Sequence, residues 1–158
     1  PSRYIGSAKM PVMFLNGTND FAYPMDSYAK TCALVRSEKN YSIQLNMKHG
    51  HLFEFPEFFL FADQYIRGGK PMPVVARPVI DGGKVRTSVK SETKLIEAKL
   101  HYTTAPHEQN RSRAWKTIEL KVDGHHVQGA APPSAATVWY VAVRDERKAI
   151  ASSELIVP

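Results

Sequence analysis

Met10-Pro11-Val12-Met13-Phe14-Leu15 is a short, continuous apolar run that stops at Asn16-Gly17. Such a run suits a strand covered on both faces, as in a parallel sheet. The period then changes. Met25, Tyr28, Ala29, Cys32 and Val35 recur at helical spacing behind Pro24, with Asp26 and Ser27 near the start and Lys39-Asn40 at the end. These limits predict a helix. Residues 41–47 alternate, with Tyr41, Ile43, Leu45 and Met47 on one face and Ser42, Gln44 and Asn46 on the other. Pro56 and Glu57 open a second predicted helix, which carries Phe58, Phe61, Ala62 and Tyr65 on one face and stops at Gly68-Gly69. The order β-α-β-α predicts a right-handed crossover on a parallel sheet.

After Lys70-Pro71-Met72-Pro73, period two takes over. Ile96, Ala98, Leu100 and Tyr102 alternate with Glu97, Lys99 and His101, and Ile118, Leu120 and Val122 alternate with Glu119 and Lys121. Asp123-Gly124 is a tight-turn signal leading into a short strand from His125 to Gln128. Val138 to Val143 is an apolar strand, and Asp145 to Lys148 a polar turn before Ala149 to Val157. About seven short strands are expected, the number of an immunoglobulin-like sandwich. The reading divides the chain into an α/β segment, 1–72, and a β-sandwich, 73–158. Two strands and two helices do not close a core by themselves. The first segment is therefore expected to be the end of a larger α/β domain, and the chain a fragment.

Composition changes this picture little. The 158 residues are 43% hydrophobic and 23% charged, ordinary for a globular protein. No stretch nears the roughly 18 consecutive apolar residues of a membrane span. A single cysteine, Cys32, excludes an internal disulfide and a cysteine-based zinc cluster, and its place on a helical apolar face marks a small buried hydrophobe. Net charge is +6, with 8 Lys/Arg against 6 Asp/Glu in residues 1–72 and 13 against 9 in the remainder. The basic residues are spread singly, without runs or interleaved aromatics, so a solvated basic surface is expected and no nucleic-acid partner.

The candidate chemistry sits just past two predicted strands, where functional groups of open α/β sheets gather. Asp20 follows the first, and His49 and His51 follow the next, with Asp20 and His51 31 positions apart. A carboxylate beside an imidazole fixes its tautomer and stabilises the imidazolium. An acid followed by a histidine is the order found in α/β-hydrolases. Thr18 and Asn19 are suited to holding the loop by side-chain hydrogen bonds.

With these residues, "PVMFLNGTNDFAYPMDS" followed by "MKHGHLFEFPEFFLFADQYI" resembles the carboxyl-terminal part of an α/β-hydrolase of the acetyl xylan esterase and prolyl-oligopeptidase-like bacterial branch. The resemblance implies that Asp20 is the catalytic acid and that His51, preceded by Gly50, is the catalytic histidine in preference to His49. No Gly-x-Ser-x-Gly elbow occurs in the chain. By resemblance the serine lies upstream of Pro1, the missing half of the hydrolase domain is a partner, and the isolated chain is inert. The implied activity is a serine esterase acting on acylated carbohydrate or a small ester, with no metal or organic cofactor. A peptidase would use the same pair. An alternative of another class is a non-catalytic β-sandwich module that binds glycan or protein.

The remaining candidates have simpler readings. Phe21, Tyr23, Phe53, Phe55 and Phe58 crowd both loops and read as core. Trp115, Trp139 and Tyr140 read as sandwich core before they read as a sugar-stacking platform. Asp123, His125 and His126 suggest a metal, but neighbouring strand residues point to opposite faces, which favours a surface hairpin.

Overall fold

The computed structural model describes residues 2–50, 54–106 and 111–157. The chain runs α1 (Ser2–Ile5), β1 (Val12–Gly17), α2 (Met25–Leu34), β2 (Lys39–Gln44) and α3 (Pro56–Ile66). Strands follow: β3 (Val74–Val75), β4 (Val79–Asp81), β5 (Lys84–Lys90), β6 (Leu95–Thr103), β7 (Lys116–Glu119), β8 (Lys121–Asp123), β9 (His126–Ala130), β10 (Val138–Asp145) and β11 (Ile150–Ser152).

β1 and β2 pair in parallel across the α2 crossover, from Val12↔Lys39 to Gly17↔Gln44. The sheet does not continue as a parallel one. β11 takes the other edge of β2, antiparallel at Tyr41↔Ser152, and β10, β6 and β7 follow, all antiparallel. The result is a six-stranded mixed sheet in the order β1-β2-β11-β10-β6-β7. A second sheet runs β3-β5-β9-β8, with β4 also on β5. The expected α/β-hydrolase portion followed by an immunoglobulin-like sandwich is therefore not the fold, and the resemblance built on it fails. The chain is mainly β, with 16% helix. The physical reason lies at β2. In the expected fold this strand lies in a parallel sheet; here it joins a parallel pair to an antiparallel sheet. Ser152 secures that seam, its Oγ accepting the Ile43 N–H at 3.2 Å.

β10 explains why six successive apolar residues, Val138–Val143, occur in one strand. Trp139, Val141 and Val143 enter the core between the two sheets, with Val85, Val89, Leu100 and Val127. Val138, Tyr140 and Ala142 enter the opposite core, where Met25 of α2, Ile43 and Leu155 meet them. Full burial of each large apolar side chain is worth about 1.5–3 kcal/mol. Both cores thus rest on one strand. α2 docks through Met25 and Cys32, as its spacing predicts, and burial pushes the Cys32 thiol up to about 12. Trp139 and Tyr140 are core residues, as expected, but in different cores. Asp123 and His126 pair across the predicted hairpin.

The polar face of β2 is buried: Asn40 Nδ2 donates to Pro73 O at 3.2 Å and Gln44 Nε2 to Ser42 Oγ at 2.9 Å. The strand also ends at Gln44 rather than at Met47. α3 forms where predicted and stops at Gly68, whose φ of +71° favours glycine. Yet its one fully buried residue is Glu57, while Phe58, Phe59, Tyr65 and Ile66 are exposed. Glu57 Oε1 accepts the Ile150 N–H at 2.6 Å and Gln44 Nε2 at 3.4 Å, so a carboxylate ties α3 to both β11 and β2. Nearby, buried Asp145 accepts hydrogen bonds from Thr93 and Arg147, and Arg147 donates to the Lys70 and Pro71 carbonyls. This latch holds the segment leaving α3 against the turn between β10 and β11.

Replacing Glu57 leaves a strand N–H and an amide without their acceptor. Glu57→Ala is expected to lower unfolding free energy by about 3 kcal/mol in urea titrations, and Glu57→Gln, which keeps an acceptor oxygen, by clearly less. His101 gives a pH dependence. It is buried against the Tyr140 ring with Nδ1 2.9 Å from Thr117 Oγ1, and burial pushes its pKa down to about 4. The unfolded chain takes up this proton near pH 6.5 and the native chain does not, so stability is full above 6.5 and falls toward pH 4. Between pH 7 and pH 5 this group is expected to cost about 2 kcal/mol, a slope that His101→Gln should flatten.

Candidate functional site

The loop after β1 is built by its own side chains. At Gly17 a Cβ would lie 2.2 Å from the Met47 carbonyl oxygen, so only glycine lets the β1 end approach the turn after β2 this closely. Fully buried Thr18 accepts the Asn46 N–H at 2.8 Å and donates to Asn19 Oδ1 at 2.7 Å. Asn19 Nδ2 in turn donates to the Arg113 carbonyl at 2.8 Å and, more weakly, to that of Arg111 at 3.4 Å. The segment between β6 and β7 is thereby tied to the loop after β1. Both residues do the loop-holding expected of them.

Asp20 closes a turn and holds an imidazole at once. Its Oδ1 accepts the Ala22 N–H at 2.8 Å and the Tyr23 N–H at 3.2 Å. Both carboxylate oxygens lie 3.0–3.1 Å from His49 Nδ1. The Asp20 side chain is only 5% exposed, whereas that of His49 is 42% exposed. The acid is thus spent inside the loop and the ring is presented outward. With Nδ1 turned to Asp20, Nε2 is left for another partner. Of the two expected site residues, Asp20 stands beside His49, and His51 lies outside the described residues.

His49 is flanked by two aromatic rings. The Phe21 ring centroid is 5.2 Å away and that of Tyr23 is 5.8 Å away. Neither ring is core, contrary to expectation: Phe21 is 54% and Tyr23 60% exposed. Phe55 is half-buried, and Phe53 lies outside the described residues. The Arg111 guanidinium stacks 4.8 Å from the Phe21 centroid. Beside this row opens a cleft of about 520 Å³, lined by Phe14, Leu15, Asp20, Tyr23, Tyr28 and His49, among others. Tyr28 also lines this cleft, but its Oη is itself buried and, among the described residues, has no hydrogen-bond partner. Burial also raises its pKa, so the hydroxyl stays protonated and able to donate. Arg111 and Tyr28 were not among the sequence candidates. Tyr28 carries only a helical-spacing signal, and Arg111 arrives from 91 positions after Asp20 with none.

The serine-esterase reading, with a triad completed by an upstream hydrolase half, does not hold, nor does its peptidase variant. Both need the parallel α/β-hydrolase sheet that the β2–β11 pairing replaces. No helix among the described residues is long and apolar enough to cross a membrane.

No family model and no curated protein matches the chain. Among solved structures it is similar to a carbohydrate-binding module family 56 β-1,3-glucan binding domain, at TM-score 0.34 and 9% identity, over 56% of this chain and 99% of that one. It is also similar to pectate lyase Pel3 from Pectobacterium carotovorum, at TM-score 0.35 and 8% identity, over 54% of this chain and 26% of that one. Pectate lyase PelI from Erwinia chrysanthemi in complex with tetragalacturonic acid gives TM-score 0.33 and 12% identity, over 54% and 28%. The chain spans about a quarter of the length of these lyases. Likeness at this level carries neither ligand nor activity over to this chain.

Proposed function

We propose that this chain is a glycan-binding module whose ligand lies in the cleft beside His49. The observation that carries the reading is the pairing of two half-exposed aromatic rings with polar groups already fixed in place. Sugars present apolar C–H faces and a rim of hydroxyls. Phe21 and Tyr23 offer apolar surface to the first. His49, held by Asp20, offers a hydrogen bond to the second. The cleft volume of about 520 Å³ lies within the usual range for small-ligand sites. Trp139 and Tyr140 are buried and offer no platform.

The test is calorimetric titration of the chain with a panel of neutral β-glucan, xylan and uronate oligosaccharides. Binding of at least one is expected. Phe21→Ala and Tyr23→Ala should each weaken it about tenfold, the equivalent of one stacked ring. Ile80→Ala, an exposed apolar change on β4, should leave it unaltered. Folded protein that binds no oligosaccharide, or binding indifferent to both aromatic variants, would overturn the reading.

A further inference from the structure

The site's charges are unevenly committed. Asp20, the cleft's carboxylate among the described lining residues, is buried and engaged with His49 and two backbone N–H groups. The charge left facing outward is positive. Arg111 is exposed and stacks on Phe21, but among the described residues its guanidinium has no hydrogen bond and no ion pair. Other arginines are differently placed. Arg67 pairs with Asp63, Arg77 with Glu154, Arg86 with Asp81, Arg144 with Glu97 and Arg147 with Asp145. Arg111 is also not loosely placed, because its carbonyl accepts Asn19 Nδ2 while the ring of Phe21 supports its guanidinium.

We propose that the cleft selects acidic glycans, those carrying sugar carboxylates, and that Arg111 is the specificity-determining residue. The inference rests on the glycan-binding reading and deepens it. A planar guanidinium presents paired N–H donors that match a carboxylate in bidentate fashion, and stacking on an aromatic ring restricts its orientation before a ligand arrives. The guanidinium covers one face of Phe21, so a sugar resting on the exposed rings would lie beside it. His49, whose Nδ1–H is given to Asp20, turns Nε2 outward beside the same rings as an acceptor for a sugar hydroxyl. The chain's net charge of +6 favours the approach of a polyanion.

An oligouronate and its methyl ester share one backbone and differ in charge, so they form the decisive pair of probes, with a neutral β-glucan oligosaccharide alongside. The full chain is titrated with each at low and at raised sodium chloride. The acid is expected to bind at least about tenfold more tightly than its ester, and salt should erode that ratio. Arg111→Ala should bring the ratio close to one, and Arg111→Lys, which keeps charge but not the planar fork, should restore only part of it. Equal affinity for acid and ester, or a ratio untouched by Arg111→Ala, would overturn the inference and leave glycan binding standing. Loss of binding to every probe in a chain with native circular dichroism would instead remove the glycan reading itself. Melting temperatures of the variants within a few degrees of the parent exclude misfolding as the cause.

Discussion

The insertion of β11 between β2 and β10 is the constraint on which the remainder depends. It is three residues long, yet it joins the parallel pair to the antiparallel sheet. So short a strand makes few ladder bonds, and side chains supply what is missing. Ser152 receives the Ile43 N–H, Glu57 receives the Ile150 N–H, and Asp145 with Arg147 fastens the preceding turn to Lys70 and Pro71. Buried polar groups satisfied in this way define a single pairing, because any register shift would strand them. The apolar cores then add energy to a geometry that polar contacts have chosen.

From that seam follows the position of the cleft. Once β2 is fixed, the parallel register carries β1 with it, and the close approach at Gly17 brings the loops after both strands together. Thr18 and Asn19 extend the joint to the segment after β6. The cleft thus draws on residues far apart in sequence, yet each is linked to the next by a contact of ordinary strength.

Local features were legible in the sequence and long-range ones were not. The α2 spacing, the β1 run, the Asp123-Gly124 turn and the apolar β10 strand all reflect interactions within a few residues, and pattern captures those. The structure sets His49 against Asp20, while the expected His51 lies outside the described residues. What pattern cannot carry is which edge of a strand finds which neighbour. The β2 alternation separates two faces without saying what covers each, and Asn40, Ser42 and Gln44 are buried because partners arrive from Pro73 and Glu57. The same gap produced the α/β-hydrolase expectation: Gly-Thr-Asn-Asp and Gly-His fit that family's order, while the antiparallel partner of β2 lies 109 positions further along. Exposure of Phe21 and Tyr23 was hidden for a related reason, since aromatic residues read as core until a loop is seen to hold them outward.

The loop from Thr18 to Tyr23 is set by its own hydrogen bonds before anything occupies the cleft. Little conformational entropy remains to be lost there on association. Among occupants of equal charge, encounter rates would then resemble one another, and differences in affinity would appear in how long each stays.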